Sequence, residues 1–175
     1  RYVANLPSQA RHHFFGLREA KPDLAGFALY DRLETNLDLA SPLLQYAWNR
    51  REIENYLCTE MTLMNFADHI EEWDLFTESE KRNKRKSMGE AMREMSVALK
   101  TLKKPTLGSP DLKASDEFLD PLFDIYFKKL GTDNLLRKSD YHQLARFVPA
   151  DEIDPEITKV LDRIVQTSQQ ARPRS

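Results

Sequence analysis

Cysteine, glycine and long apolar runs are all scarce in this sequence of 175 residues, and each scarcity excludes a class of protein. The single cysteine, Cys58, excludes an intrachain disulfide and fits a reducing compartment. The five glycines form neither a Walker-type phosphate loop nor a GxGxxG turn, so the sequence predicts no nucleotide site of either type. No apolar run reaches the length of a membrane span and no signal-peptide pattern opens the sequence, so we expect a cytoplasmic protein without membrane contact.

Neither sign of charge dominates. The 26 lysines and arginines nearly balance the 28 aspartates and glutamates, which gives a formal net charge of -2. A protein that coats DNA is basic overall, so any nucleic-acid contact of this chain must come from a local patch. With 41% hydrophobic residues the chain can bury a core, and we expect one domain or one domain with a small annex. The sequence begins at Arg1 rather than at a methionine, and we expect it to be a fragment.

The first third of the sequence has the pattern of an α/β fold. Ser8 is the expected N-cap of a helix that runs to about Ala20. The apolar run Phe27–Tyr30 does not alternate with polar residues, which is typical of a strand buried on both faces of a parallel sheet. The run Leu44–Trp48 is the second expected strand.

Helix signals dominate the remainder. The patterns predict helices over Thr59–Trp73 and from a capping box at Thr77–Glu80 to about Lys103. The pairs Asp120-Pro121 and Asp154-Pro155 each predict an aspartate N-cap with proline at the first helical position. The first pair opens a helix that ends at Gly131, and the second opens a helix with the apolar stripe Ile157, Val160, Leu161, Ile164 and Val165. The segment Pro105–Ser115, with two prolines and a glycine, is the expected linker. The predicted fold class is therefore α/β and helix-dominated, with a partial parallel sheet of two strands and a C-terminal helical region.

The longest predicted helix has two unlike halves. Its second half places apolar residues at alternating spacings of four and three, which is typical of a buried seam: Met88, Met92, Met95, Leu99 and Leu102. Its first half has no apolar residue between Glu78 and Ser87 and carries the basic block Lys81, Arg82, Lys84, Arg85 and Lys86. We expect this basic half to project into solvent, where it either contacts phosphate groups or is only a solvated face.

Three carboxylates follow the two predicted strands. Asp31 stands at the carboxyl end of the first strand, where open α/β sheets bind ligands, and its alternative role is to cap the next turn. Glu52 and Glu54 follow the second strand within the run Arg51–Leu57. If this run is extended, both glutamates share one face and can hold a divalent cation. If a helix has begun, they diverge and complement its N-terminus.

Lys138 lies at another predicted helix start. A lysine that faces a metal-carboxylate site can stabilise the charge that develops on a phosphate. The alternative is a solvated lysine beside a capping Ser139. The histidines and Cys58 have no metal-ligand spacing, so the sequence predicts no zinc site.

Taken in order, these segments resemble the C-terminal part of the Toprim nuclease domain of OLD-family (overcoming lysogenization defect) ATPase-nucleases and related bacterial defence ATPases. The most specific match is the stretch REIENYL, residues Arg51–Leu57. The other segments that carry the resemblance are His13-Phe14-Phe15, Pro22-Asp23-Leu24, Ala28-Leu29-Tyr30-Asp31-Arg32, Ser115–Asp120, Lys138-Ser139-Asp140 and Asp154–Ile157.

The resemblance implies a Toprim-like α/β core whose C-terminal part covers residues 1–58, a helical insertion over 59–104 and a completing helical part over 105–175. It implies Mg²⁺ or Mn²⁺ held by Asp31 and by Glu52 or Glu54, with Glu52 and Lys138 acting in phosphodiester hydrolysis. It also implies a nuclease module of anti-phage defence that acts on nucleic acid, DNA in preference to RNA. The residues of the basic block, rather than the resemblance, make that block the candidate contact for nucleic acid. An N-terminal ATPase region of the same protein would mediate homo-oligomerisation.

Two features depart from the family's pattern. Leu33 occupies the position of the second aspartate of the DxD element, and the family's first glutamate would precede Arg1, so the ligand set is incomplete. Three functions therefore stay open. The chain is a metal-dependent nuclease module, a degenerate Toprim that binds nucleic acid or serves assembly, or a helical interaction domain whose acidic cluster only caps helices.

Overall fold

The computed structural model describes residues 5–37, 42–69, 78–134 and 136–171. This part of the chain contains two strands and five α-helices: α1 (Pro7–Ala20), β1 (Gly26–Tyr30), β2 (Leu43–Ala47), α2 (Glu60–Asp68), α3 (Glu78–Thr101), α4 (Asp120–Leu130) and α5 (Pro155–Gln170). Shorter turns are the 3₁₀ helices Ile53–Tyr56, Lys138–Phe147 and Ala150–Glu152 and the π-helical segment Ala114–Leu119. The predicted helix-dominated α/β class is confirmed. Within the described ranges, no helix is both long and apolar enough to cross a bilayer.

The chain forms two compact units. Unit 1 comprises Arg1–Asn49 and Asp154–Ser175, and unit 2 comprises Arg50–Ile153. This division differs from the segments 1–58, 59–104 and 105–175, whose assignment to a Toprim-like domain stays a prediction.

In unit 1, β1 and β2 pair in parallel, as predicted from their apolar runs. The register aligns Gly26 with Leu43 and Tyr30 with Ala47. The amide of Trp48 donates to the Tyr30 carbonyl at 3.0 Å, so the ladder continues just past the end of β2. Tyr30 is buried, whereas the other residues of β1 are only half-buried, so the strand is less enclosed than its uninterrupted apolar run predicts.

Helix α1 packs against the start of β1. Ala10 and Phe14 are its buried residues, and both belong to one small apolar cluster with Tyr30 and Leu43. Gly26 permits the close approach, because a Cβ at this position would lie 2.6 Å from the Phe14 ring.

Helix α5 begins as the Asp154-Pro155 pair predicts. The Asp154 carboxylate accepts the amide hydrogen of Glu156 at 3.0 Å. The Glu156 carboxylate in turn accepts the Tyr46 hydroxyl at 2.8 Å and the Asn49 amide at 3.0 Å. The first turn of α5 is thereby attached to the end of β2.

The apolar stripe predicted for α5 is buried at one residue only. Val160 is fully buried, whereas 55% of Leu161 and 53% of Val165 are exposed. Arg163, on the same helix, instead places its guanidinium over the Tyr46 ring, 5.5 Å from the centroid.

In unit 2, the seam on α3 forms the centre of the main core. Met88, Met92, Met95 and Leu99 are buried, as predicted, and pack in one cluster with residues of α2 and α4. Leu102 does not join them and is 63% exposed, because α3 ends at Thr101, short of the predicted Lys103. The basic half of the helix lies at the surface, as its lack of apolar residues predicts.

Two predicted N-caps are wrong. Helix α1 begins at Pro7 with Leu6 as its N-cap, rather than being capped by Ser8, because proline suits the first helical position. Asp120 is not an N-cap, because the chain already is helical through Ala114–Leu119 before α4 begins. Its carboxylate instead accepts a short hydrogen bond from the Tyr141 hydroxyl.

The ends of α2 and α4 follow ordinary capping rules. The Thr59 hydroxyl accepts the amide hydrogen of Thr62 at 3.1 Å, and α2 ends at Asp68 because His69 adopts extended backbone angles. The predicted extension through residues 70–73 and the capping box that opens at residue 77 lie outside the described residues. Gly131 ends α4 as predicted, with the left-handed φ of 73° that glycine adopts without strain.

The expected linker Pro105–Ser115 is not a boundary. It lies within unit 2, and its backbone accepts hydrogen bonds from the segment that follows β2. The Arg51 amide donates to the Pro110 carbonyl at 2.8 Å, and Leu112 is fully buried. Prolines and a glycine here shape a packed loop rather than a flexible connection.

Candidate functional site

The predicted site residues are distributed over both units. Asp31 directly follows β1 in unit 1, at the carboxyl end of the strand as predicted. Glu52, Glu54 and Lys138 all belong to unit 2, as does the basic block of α3. The structure therefore gathers part of the predicted site within one unit.

A buried asparagine organises the segment that contains both glutamates. Asn55 is 3% exposed and donates through Nδ2 to the carbonyls of Ser109, at 3.2 Å, and Leu112, at 2.9 Å. Its Oδ1 accepts the amide hydrogen of Glu52 at 2.9 Å. Every hydrogen-bonding atom of this amide side chain is thus used to hold the run Arg51–Leu57 against the 105–115 loop.

The conformation of this run settles the alternative left open by the sequence. Glu52 is extended, at φ -137° and ψ 158°, and a 3₁₀ helix begins at Ile53. Glu52 and Asn55 form a reciprocal capping box, in which each side chain accepts the other's backbone amide. The helix has therefore begun between the glutamates, and Glu52 serves as its N-cap.

The Glu52 carboxylate is also bound by a residue 63 positions further along the chain. Its Oε2 accepts the amide hydrogen of Ser115 at 2.9 Å and the Ser115 hydroxyl hydrogen at 2.9 Å. Ser115 is fully buried at the start of the π-helical segment. Together with the amide of Asn55, these donors make Glu52 an internal bridge between two helical turns of unit 2.

Lys138 lies beside a carboxylate for which no individual role was predicted. Its Nζ donates to Asp116 Oδ1 at 2.6 Å, and Lys113 forms a short ion pair with Asp116 Oδ2. Hydrogen bonds from Lys113 and Lys138 lower the pKa of Asp116 to about 2. Asp140, rather than the expected Ser139, caps the 3₁₀ helix that Lys138 begins, by accepting the Arg137 amide at 2.9 Å.

The two glutamates and Lys138 also act on one another electrostatically. The hydrogen bond to Asp116 raises the pKa of Lys138, and the negative charges of Glu52 and Glu54 raise it further. Burial raises the pKa of the Cys58 thiol, and the same two glutamates add to this effect. The negative charges of Glu52 and Glu54 thus act on Lys138, although 84 positions separate Glu54 from Lys138 along the sequence. A thiol that is held protonated is a poor nucleophile.

Ser115, Asp116 and Lys113 were missed as individual site residues. Ser115 and Asp116 stand in a segment quoted for the family resemblance, and a serine next to two acidic residues is typical of a helix cap. Their connection to Glu52 and Lys138 is set by tertiary contacts, which leave no periodic signal in the sequence.

The observed donors fit Mg²⁺ or Mn²⁺ poorly. Such ions require several carboxylate oxygens from a rigid frame, and Glu52 already accepts hydrogen bonds from three donors. Within residues 5–37, 42–69, 78–134 and 136–171, no group of three or more histidine, cysteine, aspartate or glutamate side chains is arranged to hold a metal ion. Metal binding by Asp31, Glu52 and Glu54 stays a prediction.

The basic block of α3 presents a second candidate surface. Arg82, Arg85 and Lys86 are exposed, while Lys81 and Lys84 are half-buried. Arg85 is ion-paired with Asp68 of α2, and Lys86 Nζ lies 3.9 Å from Glu90 Oε1. Arg82, Arg85 and Lys86 line one groove of about 610 Å³ within unit 2.

Comparisons of the chain with protein-family models, with curated proteins and with solved structures find no match. The resemblance to OLD-family Toprim domains therefore rests on the sequence motifs and stays a prediction.

Proposed function

We propose that this chain is a nucleic-acid-binding module, a degenerate Toprim-like part of a larger, cytoplasmic ATPase-nuclease. The observation that carries the proposal is the exposed cationic surface at the N-terminal half of α3, formed by Arg82, Arg85 and Lys86. A local cationic patch on a protein with a net charge of -2 concentrates attraction for phosphate at one place. DNA is the proposed partner in preference to RNA, and the module would serve anti-phage defence.

Two observations favour binding over catalysis in this chain. Leu33, at the position of the family's second aspartate, packs half-buried against the apolar cluster of unit 1. Glu52 is engaged by Ser115 and by the 3₁₀ helix that it caps. Both positions therefore serve packing and capping, which are structural tasks.

Nucleic-acid binding is tested with a fluorescently labelled DNA strand and the chain at two salt concentrations. The wild type is expected to bind with an affinity that falls as salt rises, because phosphate contacts release counterions. A variant with Lys81, Arg82, Lys84, Arg85 and Lys86 all changed to glutamine is expected to lose this binding. A matched variant with Lys100, Lys103, Lys104, Lys128 and Arg146 changed to glutamine controls for net charge. Equal binding by the two variants would exclude the basic block as the binding surface.

The second candidate function is metal-dependent phosphodiester hydrolysis within the same larger protein, with an N-terminal ATPase region and a homo-oligomer formed through it. The electrostatic interaction between Glu54 and Lys138 favours this function, because a lysine near acidic groups suits a site that binds and cleaves phosphodiesters. When bound, Mg²⁺ or Mn²⁺ would activate water and stabilise the leaving oxygen. Asp31, Glu52 and Glu54 would have to supply its ligands.

This candidate is tested by titrating Mn²⁺ into the chain and following its electron paramagnetic resonance signal. Stoichiometric binding that is lost in the variants Asp31→Ala and Glu54→Ala would support a metal site. A Mn²⁺ affinity unchanged by both substitutions would exclude these residues as ligands. The variant Asp124→Ala, on the exposed side of α4, is the control.

A further inference from the structure

The groove beside α3 combines charge with an apolar floor. Methionine and leucine side chains contributed by α2, α3 and the 105–115 loop line it, namely Met64, Met92 and Leu107. A purely electrostatic phosphate surface needs no such floor, because phosphate contacts are made at exposed side chains. The groove therefore suits a ligand with both an anionic and an apolar part.

Its cationic wall runs along one face of the helix. Arg82, Lys86 and Arg93 are separated by four and seven residues, so they lie close to one line on the helix surface. At a rise of about 1.5 Å per residue, Arg82 and Arg93 stand roughly 16 Å apart along the axis. Neither guanidinium has an ion-pair partner in the part of the chain that the structure describes. The two ends of the wall can thus each receive an anionic group.

A glycine opens the middle of this wall. Gly89 lies inside the 24-residue helix α3, where glycine costs about 0.5–1 kcal/mol relative to alanine. A Cβ at Gly89 would meet nothing within 4 Å, so no packing contact requires the missing side chain. The residue lines the groove, and a larger side chain there would enter the space between Arg82 and Arg93.

One carboxylate completes the lining. Glu60, in the first turn of α2, faces the same groove as the arginines. It would repel a ligand that is anionic throughout, whereas it can accept a hydrogen bond from an amino or hydroxyl group. The volume of about 610 Å³ is in the range that holds one small organic ligand.

We propose that this groove binds a nucleotide unit, with its phosphate on Arg82 or Arg93, its base against Met64 and Met92, and a hydroxyl or amino group on Glu60. The inference deepens the proposed function, because it assigns the basic helix a base-accepting groove in addition to phosphate attraction. A nucleotide unit comes either from a free nucleotide or from single-stranded nucleic acid, whose bases are free to leave a stack. A duplex keeps its bases stacked and cannot place one on the floor.

The experiment measures binding of three probes to the full chain: adenosine monophosphate by calorimetry, and a labelled single-stranded deoxyadenosine decamer and the corresponding duplex by fluorescence anisotropy. The variants Gly89→Leu, which fills the groove, and Arg93→Gln are compared with Gly16→Leu and Lys100→Gln. Gly16 also lies inside a helix, where a Cβ would meet nothing within 4 Å, and Lys100 lies on α3 outside the groove. Circular dichroism verifies that each variant is folded.

Gly89→Leu and Arg93→Gln are expected to weaken single-strand binding about tenfold, the size of one lost base or phosphate contact, while both controls stay within about twofold. Binding of adenosine monophosphate with the same sensitivity identifies the free nucleotide as a ligand, and binding of the decamer alone identifies the strand. If Gly89→Leu fails to fold, the surface variant Arg93→Gln decides.

The outcomes separate this inference from the proposed function. The proposed groove site is overturned if neither groove variant changes the affinity for DNA. It is also overturned if the wild type binds the duplex as tightly as the single strand. Either result leaves the basic surface as the binding site. Absence of nucleic-acid binding by the wild type, with adenosine monophosphate bound in the groove, overturns the proposed function alone.

Discussion

Glu52 Oε2 accepts both the backbone amide hydrogen and the hydroxyl hydrogen of Ser115, each at 2.9 Å. This pairing joins the turn after β2 to the π-helical segment before α4. The carboxylate lies in the stretch with the most specific family resemblance, yet its contacts are those of an internal brace. A charge-assisted pair of this kind fixes two segments in one geometry.

We predict that Glu52→Ala and Ser115→Ala are both destabilising and energetically coupled. A hydrogen bond to a charged group contributes about 1.5–3 kcal/mol, and Glu52→Ala leaves the buried Ser115 donors without their acceptor. In a double-mutant cycle measured by urea unfolding, the coupling free energy is expected to be about 1–2 kcal/mol. The exposed Ser139→Ala is the control. Additive effects of the two substitutions would show that Glu52 does not brace the two segments.

The strands were predictable because their signal is local. The apolar runs that end at Tyr30 and Trp48 are each shorter than a helix, and the structure places β1 and β2 within one residue of them. The seam on α3 was equally predictable, because methionines at alternating spacings of four and three residues face one side of a helix. The start of α4 was not, because a π-helical segment carries the chain into Asp120 without a break.

The candidate site was only partly predictable, because the contacts that define it join residues far apart in the sequence. Glu52, Glu54 and Lys138 could be chosen as charged residues at element starts, and in the structure the two glutamates do act electrostatically on Lys138. The partners that decide what they do, Ser115 and Asp116, depend on long-range packing. No pattern in one sequence shows that the 105–115 loop folds back on the run after β2.

We predict that Lys138→Met raises the pKa of Asp116 from about 2 towards its ordinary value of 3.8. The hydrogen bonds from Lys113 and Lys138 favour the ionised carboxylate, and removal of one of them weakens that preference. Because the folded-state pKa lies below the ordinary value, these ion pairs stabilise the folded state above about pH 4, and their contribution is lost as the pH falls from about 4 to 2.

The measurement is a carbon-detected NMR titration of the Asp116 carboxyl group in the wild type, Lys138→Met, Lys113→Met and the control Lys100→Met. Lys113→Met and Lys138→Met are each expected to raise the pKa of Asp116, because each removes one of the two hydrogen bonds that lower it. A pKa that stays at about 2 in both variants would mean that neither lysine holds the charge on Asp116.

We predict that Gly26→Ala destabilises unit 1. A Cβ at Gly26 would lie 2.6 Å from the Phe14 ring and 3.0 Å from the side chain of Leu43, so the Phe14 ring or α1 as a whole has to shift. Overpacking of this kind costs about 1–3 kcal/mol. The double variant Gly26→Ala with Phe14→Leu is expected to recover part of the loss in a thermal unfolding measurement, because the smaller side chain makes room. Equal stability of Gly26→Ala and the wild type would contradict the close packing of α1 on β1.

We predict that Gly89→Ala stabilises the chain by about 0.5–1 kcal/mol, because alanine loses less backbone entropy in a helix than glycine does. The Cβ has open space around it, so no clash offsets the gain.

Gly16→Ala in α1 is the matched case, with the same open surroundings and the same expected gain in urea unfolding. The comparison bears on function because Gly89 lines the groove beside α3, whereas Gly16 does not. If Gly89→Ala is stabilising and also weakens binding of the deoxyadenosine decamer, the open groove costs the helix stability and provides room for a ligand. If Gly89→Ala is destabilising while Gly16→Ala is not, the space beside Gly89 is closed in solution and the groove is not a binding site.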